Sequence, residues 1–168
     1  MKQFIKLLTA LSFILFTTSA YAEMAKEGSG DYQMGKSGTT QIIKLGEGKV
    51  QVNWDEIGSI VSAPENSPFE FASYRLIGTS HVIGTTYQGN GGGVFTRPNG
   101  DQIFVVVNVD GDYSENKPTG GTLKIIGGTG ECAGIEGIFE IGRRPTVKPS
   151  MEGIYQGVGF GKVSWKIP

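Results

Sequence analysis

The residue pattern predicts an all-β protein: an antiparallel barrel of roughly eight strands, closed or nearly closed. Three observations carry that prediction. Apolar residues recur with period two rather than 3.6 through most of the chain. Turn residues break the pattern at short intervals. Glycine is abundant, 27 of 168 residues, where ordinary usage is about 7%. Many short strands separated by turns pack as a sandwich or a barrel, and a closed barrel leaves no edge to aggregate.

The first segment stands outside that domain. Lys2 and Lys6 flank the start of an apolar run from Leu7 to Phe16, and Ala20-Tyr21-Ala22 supplies the small-x-small pattern of a cleavage site. Residues 1–22 therefore read as a signal peptide, which places the protein in the periplasm or outside the cell. No cysteine follows the cleavage position, so no N-terminal lipid anchor is expected. No later run approaches the roughly 20 apolar residues of a membrane helix.

Residues 23–38 are polar and glycine-bearing, and read as a flexible lead-in with a short edge strand around Tyr32. The barrel domain is expected over residues 39–168. Thr39 to Leu45 and Val50 to Asp55 form two runs around Gly46-Glu47-Gly48-Lys49, a hairpin in which Val50, Val52 and Trp54 share a face. Gly58 suggests a bulge or bend before Ser59-Ile60-Val61. Ala63 to Pro68, with two prolines, is a loop. Phe69–Thr79 and His81–Tyr87 resume the extended pattern. Gln88-Gly89-Asn90-Gly91-Gly92-Gly93 has so few side chains that the backbone must turn sharply or pass close to something.

Arg97-Pro98-Asn99-Gly100-Asp101 is the clearest turn, since proline presets φ and Asn-Gly tolerates positive φ. Ile103 to Val107 is continuously apolar and reads as a strand covered on both faces. Gly111 to Gly121 reads as a polar loop. Leu123–Ile126, Ile135–Ile141 and Gly157–Ile167 complete the strands, the last with Val163 and Trp165 on one face.

Charge and residue counts exclude several functions. The chain carries 15 basic and 16 acidic residues, a net charge of −1, with no electrostatic footprint for nucleic acid. Its longest basic cluster, Arg143-Arg144 with Lys148, is broken by Pro145. A lone Cys132 forms no internal disulfide; it is a buried thiol or an intermolecular link. One histidine and one cysteine do not make a zinc site. Asn108 to Glu115 offers alternating oxygens but lacks the glycine and glutamate placement of a calcium loop. No metal and no cofactor are therefore expected. Gly127 to Gly134 fails as a phosphate cradle, because neither Lys-Ser/Thr nor a helix follows.

That segment resembles a known corner. Gly127-Gly128-Thr129-Gly130-Glu131-Cys132-Ala133-Gly134-Ile135-Glu136-Gly137 is similar to the Gly-Gly-Thr-Gly-x-x-x-Gly-Ile-x-Gly corner of the allene oxide cyclase and dirigent-like barrels. Thr96 to Asp101 followed by an apolar strand is similar to exported bacterial members of that group. The resemblance covers about residues 37–142. It implies an eight-stranded, calycin-like barrel with a cavity. It transfers no catalytic residue, since the matching positions are glycines, turn residues and apolar residues.

Six residues are candidates to line such a cavity: Trp54, Glu56, Glu70, Tyr74, His81 and Phe104. Only one of Asp55 and Glu56 can point inward, because adjacent strand residues face opposite ways. A carboxylate inside an apolar barrel is an acid or base in waiting, whereas one outside is merely solvated. His81 would have to serve any Ser-His or Cys-His chemistry, and nothing near it in the chain supports that role. The leading expectation is an exported soluble barrel holding a small apolar ligand. A cyclase or isomerase working in the cavity is the alternative, and a small outer-membrane barrel the second alternative.

Overall fold

A computed structural model describes residues 23–112, 117–144 and 153–168; the expected signal peptide, Lys148 and the residues from Tyr113 to Asn116 lie outside them. Eight strands follow in order: β1 (Glu27–Gly46), β2 (Lys49–Ser62), β3 (Ser73–Ile83), β4 (Thr86–Thr96), β5 (Gln102–Asp112), β6 (Lys117–Gly128), β7 (Glu136–Arg144) and β8 (Ile154–Lys166). A single 3₁₀ turn, Gly130–Cys132, separates β6 from β7. Each strand pairs antiparallel with the next, and β8 returns to β1, so the sheet is a closed barrel. Among the described residues no helix is long and apolar enough to cross a membrane.

The inward rows show how steeply the strands are staggered. One row leaves β1 at Gly38 and runs through Glu56, Leu76, Gly93, Val105, Ile125, Gly137 and Trp165; it returns to β1 at Gly28. Closure of a twisted sheet demands such a shear. Residues 23–26, residues 167–168 and the connections 63–72, 97–101 and 129–135 gather at one mouth. The tight turns Glu47-Gly48 and Gly84-Thr85 lie at the other.

The first mouth is filled. Phe69 is fully buried and reaches Phe139, Trp165 and Phe95, with centroid distances of 4.7, 5.7 and 6.4 Å. Phe95 stacks on Phe139 at 5.1 Å, and Tyr32 meets Phe139 edge-on at 5.0 Å. Each such ring contributes about 1.5–3 kcal/mol by burial, with a further ~0.5–1.5 kcal/mol per aromatic pair. The incoming chain straps this end: Ala25 N donates to Asn66 O, Trp165 Nε1 to Ala25 O, and Ile167 N to Lys26 O.

Several expectations are corrected here. The lead-in expected over residues 23–38 is, from Glu27, the first part of a 20-residue strand that buries Tyr32 and Met34. Its polar composition misled because only every second residue faces the core. Phe69 opens no strand; it belongs to the loop that plugs the barrel, and β3 starts at Ser73. Gly58 stays in register opposite Tyr74, and the irregularity falls instead at Val61. Residues 111, 112 and 117–121 extend β5 and β6 into the stretch read as loop. The run Ile103–Val107 is covered on one face only: Ile103, Val105 and Val107 are buried while Phe104 and Val106 remain exposed. Cys132 is a buried free thiol.

Both segments that carry the family resemblance meet at the filled mouth. Thr129 N donates to Gln102 O, and Gln102 N donates to Thr129 Oγ1. The Asp101 carboxylate accepts from the Glu131 amide and presses on Gly130, whose φ is +55°. Arg97 closes the unit with an ion pair to Glu131 at 2.7 Å. A φ of +55° is a conformation that L side chains rarely adopt, and a Cβ there would also have to displace the Asp101 carboxylate, so the position favours glycine.

Candidate functional site

Chemistry collects in the other half of the lumen. Alternation along β2 turns Trp54 and Glu56 inward and Asp55 outward. Glu56 is buried, while Asp55 forms a bidentate pair on the outer wall with Arg75, at 3.0 and 2.7 Å. The Arg75 hydrogen bonds hold the Asp55 carboxyl below its ordinary value. Glu56 is the one carboxylate that the barrel encloses among the described residues.

Both Glu56 oxygens are engaged. Tyr74 Oη donates to Oε1 at 3.0 Å, and Tyr155 Oη donates to Oε2 at 3.0 Å. Lys36 Nζ lies 3.1 Å from Oε2 and also sits over the Tyr155 ring, 5.8 Å from its centroid. A buried carboxylate is costly unless paired and hydrogen-bonded, and this one has both kinds of partner. Burial first, and then the adjacent Glu56 charge, push the Tyr155 phenol far above its ordinary value. It remains a neutral donor at any physiological pH.

Glycines make the room. Gly38 on β1 lies against the Tyr155 hydroxyl, and Gly58 on β2 against that of Tyr74; a Cβ at either would stand 2.6 Å from the phenol. One row further toward the other mouth, the benzo edge of the Trp54 indole lies against Gly78 of β3 and Gly91 of β4. Its Nε1 donates to Ser80 Oγ at 2.9 Å, and Ser80 Oγ donates to Tyr87 Oη at 2.9 Å. The glycine run in β4 is therefore a strand interior, not a turn: its bare backbone is the bed for a ring reaching across from β2.

Above this network the inward side chains are less fully covered. Val52, Trp54, Tyr87, Val109 and Ile141 all point inward yet remain only partly buried, in contrast to the fully covered rings at the other mouth. The partly exposed wall is thus mainly apolar, with Thr40 and Lys36 as its polar points, while Ser80 is fully buried behind Trp54 and Tyr87.

Of the six cavity candidates, Trp54, Glu56 and Tyr74 come together. The other three do not. Glu70 lies in the plugging loop, where its carboxylate accepts from Asn66 N at 3.0 Å. His81 is exposed on the outer face of β3, and Phe104 on that of β5, because both fall on the outward parity of their strands. Lys36 and Tyr155 were missed. Signals for both exist: Lys36 continues the alternation Tyr32, Met34, and Tyr155 continues backward the alternation Trp165, Val163, Gly161. No family model, curated protein or solved structure matches the chain.

Proposed function

We propose that this chain is an exported, water-soluble barrel that holds a small, mostly apolar ligand in the open half of its lumen. Export rests on the charged and apolar pattern of residues 1–22, and membership of the allene oxide cyclase and dirigent-like group rests on the Gly127–Gly137 corner in a closed eight-stranded barrel. One observation carries the binding reading: inward-facing apolar side chains remain solvent-reached on one side of a buried, fully partnered carboxylate. An eight-stranded barrel is wide enough for one small ligand when its side chains do not fill it. The Glu56–Lys36 pair then marks the ligand's polar end, and Trp54 flanks its apolar body.

The outer wall supports a life in water over the outer-membrane alternative. It carries the Asp55–Arg75 pair, and Lys124, Glu140 and Lys162 on outward positions within the strands. Lysine or arginine on a lipid-facing wall costs about 2–4 kcal/mol each at the bilayer midplane. The cavity-enzyme reading keeps one supporting feature, a carboxylate held against two phenols. Since both oxygens already accept hydrogen bonds, Glu56 is better placed to anchor than to abstract a proton.

The test is a thermal-shift and fluorescence screen against fatty acids, terpenoids and phenolics, with anilinonaphthalene sulfonate as displaceable probe. Binding should raise the midpoint and change the Trp54 emission, and Trp54→Ala should weaken it about tenfold or more. A protein that neither takes up the probe nor responds to any of the three classes would remove the proposal.

A further inference from the structure

A second surface, outside the lumen, has its own chemistry. The outward side chains of β3 to β6 near the open mouth line a groove of about 470 Å³ formed by His81, Gln88, Asn90, Asn108, Asp110 and Thr122. The register sets them in two cross-strand rows. Thr79, Asn90, Asn108 and Thr122 are direct partners in one row, and His81, Gln88 and Asp110 in the next. On β2 the first row continues into Asn53, which accepts from Thr79 Oγ1 at 3.0 Å and from Gln51 Nε2 at 2.8 Å.

The composition of this wall selects a ligand class. Its lining, among the described residues, includes no lysine or arginine, the usual means of holding phosphate or nucleic acid. Among the described residues no group of three or more potential ligands is placed to hold a metal ion. Val109 is the one apolar side chain among the groove's described lining residues, too little surface to hold an acyl chain. Amides and hydroxyls both donate and accept, and Asp110, an acceptor only, already has an interaction of its own. Such a set complements an array of alcohols, each of which also donates and accepts. The row next to the groove runs Ile77, Gly92, Val106 and Lys124, with Ile77 and Val106 exposed on either side of a residue that has no side chain and the lysine beyond them. Ile77 and Val106 form a shallow apolar shelf of a kind that fits the C–H face of a pyranose ring.

We propose that this groove is a saccharide-binding site for neutral glycans, distinct from the lumen and independent of what the lumen holds. The probes are maltohexaose, cellohexaose, chitohexaose and mannohexaose, titrated into the isotope-labelled protein. At least one should shift backbone amides concentrated at residues 79–81, 88–92, 106–110 and 120–122, while those of Glu56 and Tyr155 stay in place. Asn90→Ala with Asn108→Ala should weaken that binding about tenfold, since each lost hydrogen bond has a modest net worth. Both side chains are exposed, so the thermal midpoint of the double variant should match the parent and separate lost binding from lost folding. Three results would each overturn the site: silence toward all four sugars, shifts confined to the lumen, or binding that the double variant leaves intact. Preference for a sulfated glycan, with affinity falling steeply in salt, would overturn the neutral class.

Discussion

The two halves of this barrel are built from the same strands and treat their interior in opposite ways. Around Phe69, Phe95, Phe139 and Trp165, large rings face one another and exclude water. Around Trp54 and Tyr155, large rings face glycines and the network is polar; Tyr74 joins the halves, its hydroxyl on Glu56 and its ring 5.4 Å from that of Phe95. Several rings meeting one another close one end, whereas at the other end inward side chains such as Trp54, Tyr87 and Ile141 remain only partly buried. The contrast separates the half that secures the fold from the half available for function.

The largest effect should come from the plug. Phe69→Ala removes a fully buried ring at the meeting point of three others and should cost about 3–5 kcal/mol, read by denaturant unfolding. Trp54→Ala, in the half-open lumen, should cost clearly less, about 1–2 kcal/mol. Equal costs would erase the distinction between the halves.

Next in size is the buried pair. Lys36→Met leaves the Glu56 carboxylate with phenols alone and should destabilise by about 1–3 kcal/mol. Combined with Glu56→Gln, the penalties should fail to add by about 0.5–3 kcal/mol. Additive penalties would mean that the two groups do not interact.

Gly91→Ala should cost a comparable ~1–3 kcal/mol, because the new methyl group meets the Trp54 ring and the facing β3 backbone. Its signature is a Trp54 emission shifted toward that of exposed indole. An unchanged spectrum would show that the ring does not rest on β4.

The smallest effect is a pH dependence. Tyr155 is held neutral in the folded protein by burial and by Glu56, so its folded value lies above that of the unfolded chain. Its contribution to stability is therefore complete below about pH 10, where an unfolded tyrosine ionises. It declines as pH rises beyond that point. Tyr155→Phe should flatten this alkaline limb while leaving the slope at neutral pH unaltered. An alkaline limb identical in parent and variant would count against the enclosed phenol.

How much of this was legible depended on whether a feature is local. The hairpin around Glu47-Gly48 pairs Gly46 with Lys49, as the interrupted alternation indicates. Trp54, Glu56 and Tyr74 could be chosen as inward residues because parity along a strand is a property of neighbours. His81 and Phe104 failed on the same criterion, since a continuous apolar or mixed run conceals which parity faces in. The glycines of β4 were the hardest to read. Bare backbone announces that something passes close, and only the registers of β2 on β3 and β3 on β4 identify that visitor as Trp54.

Period-two alternation, turn chemistry and glycine content are written residue by residue, and they suffice for an all-β barrel of about eight strands. The joining of Lys36 and Glu56 with Tyr74 and Tyr155 is of another kind: it requires β8 to close on β1 at one particular stagger, which sets Tyr155 opposite Gly38. Strand periodicity costs nothing to read because it repeats within a few residues. Closure is a contest among long-range pairings, settled by which register lets every ring find either a partner or a glycine.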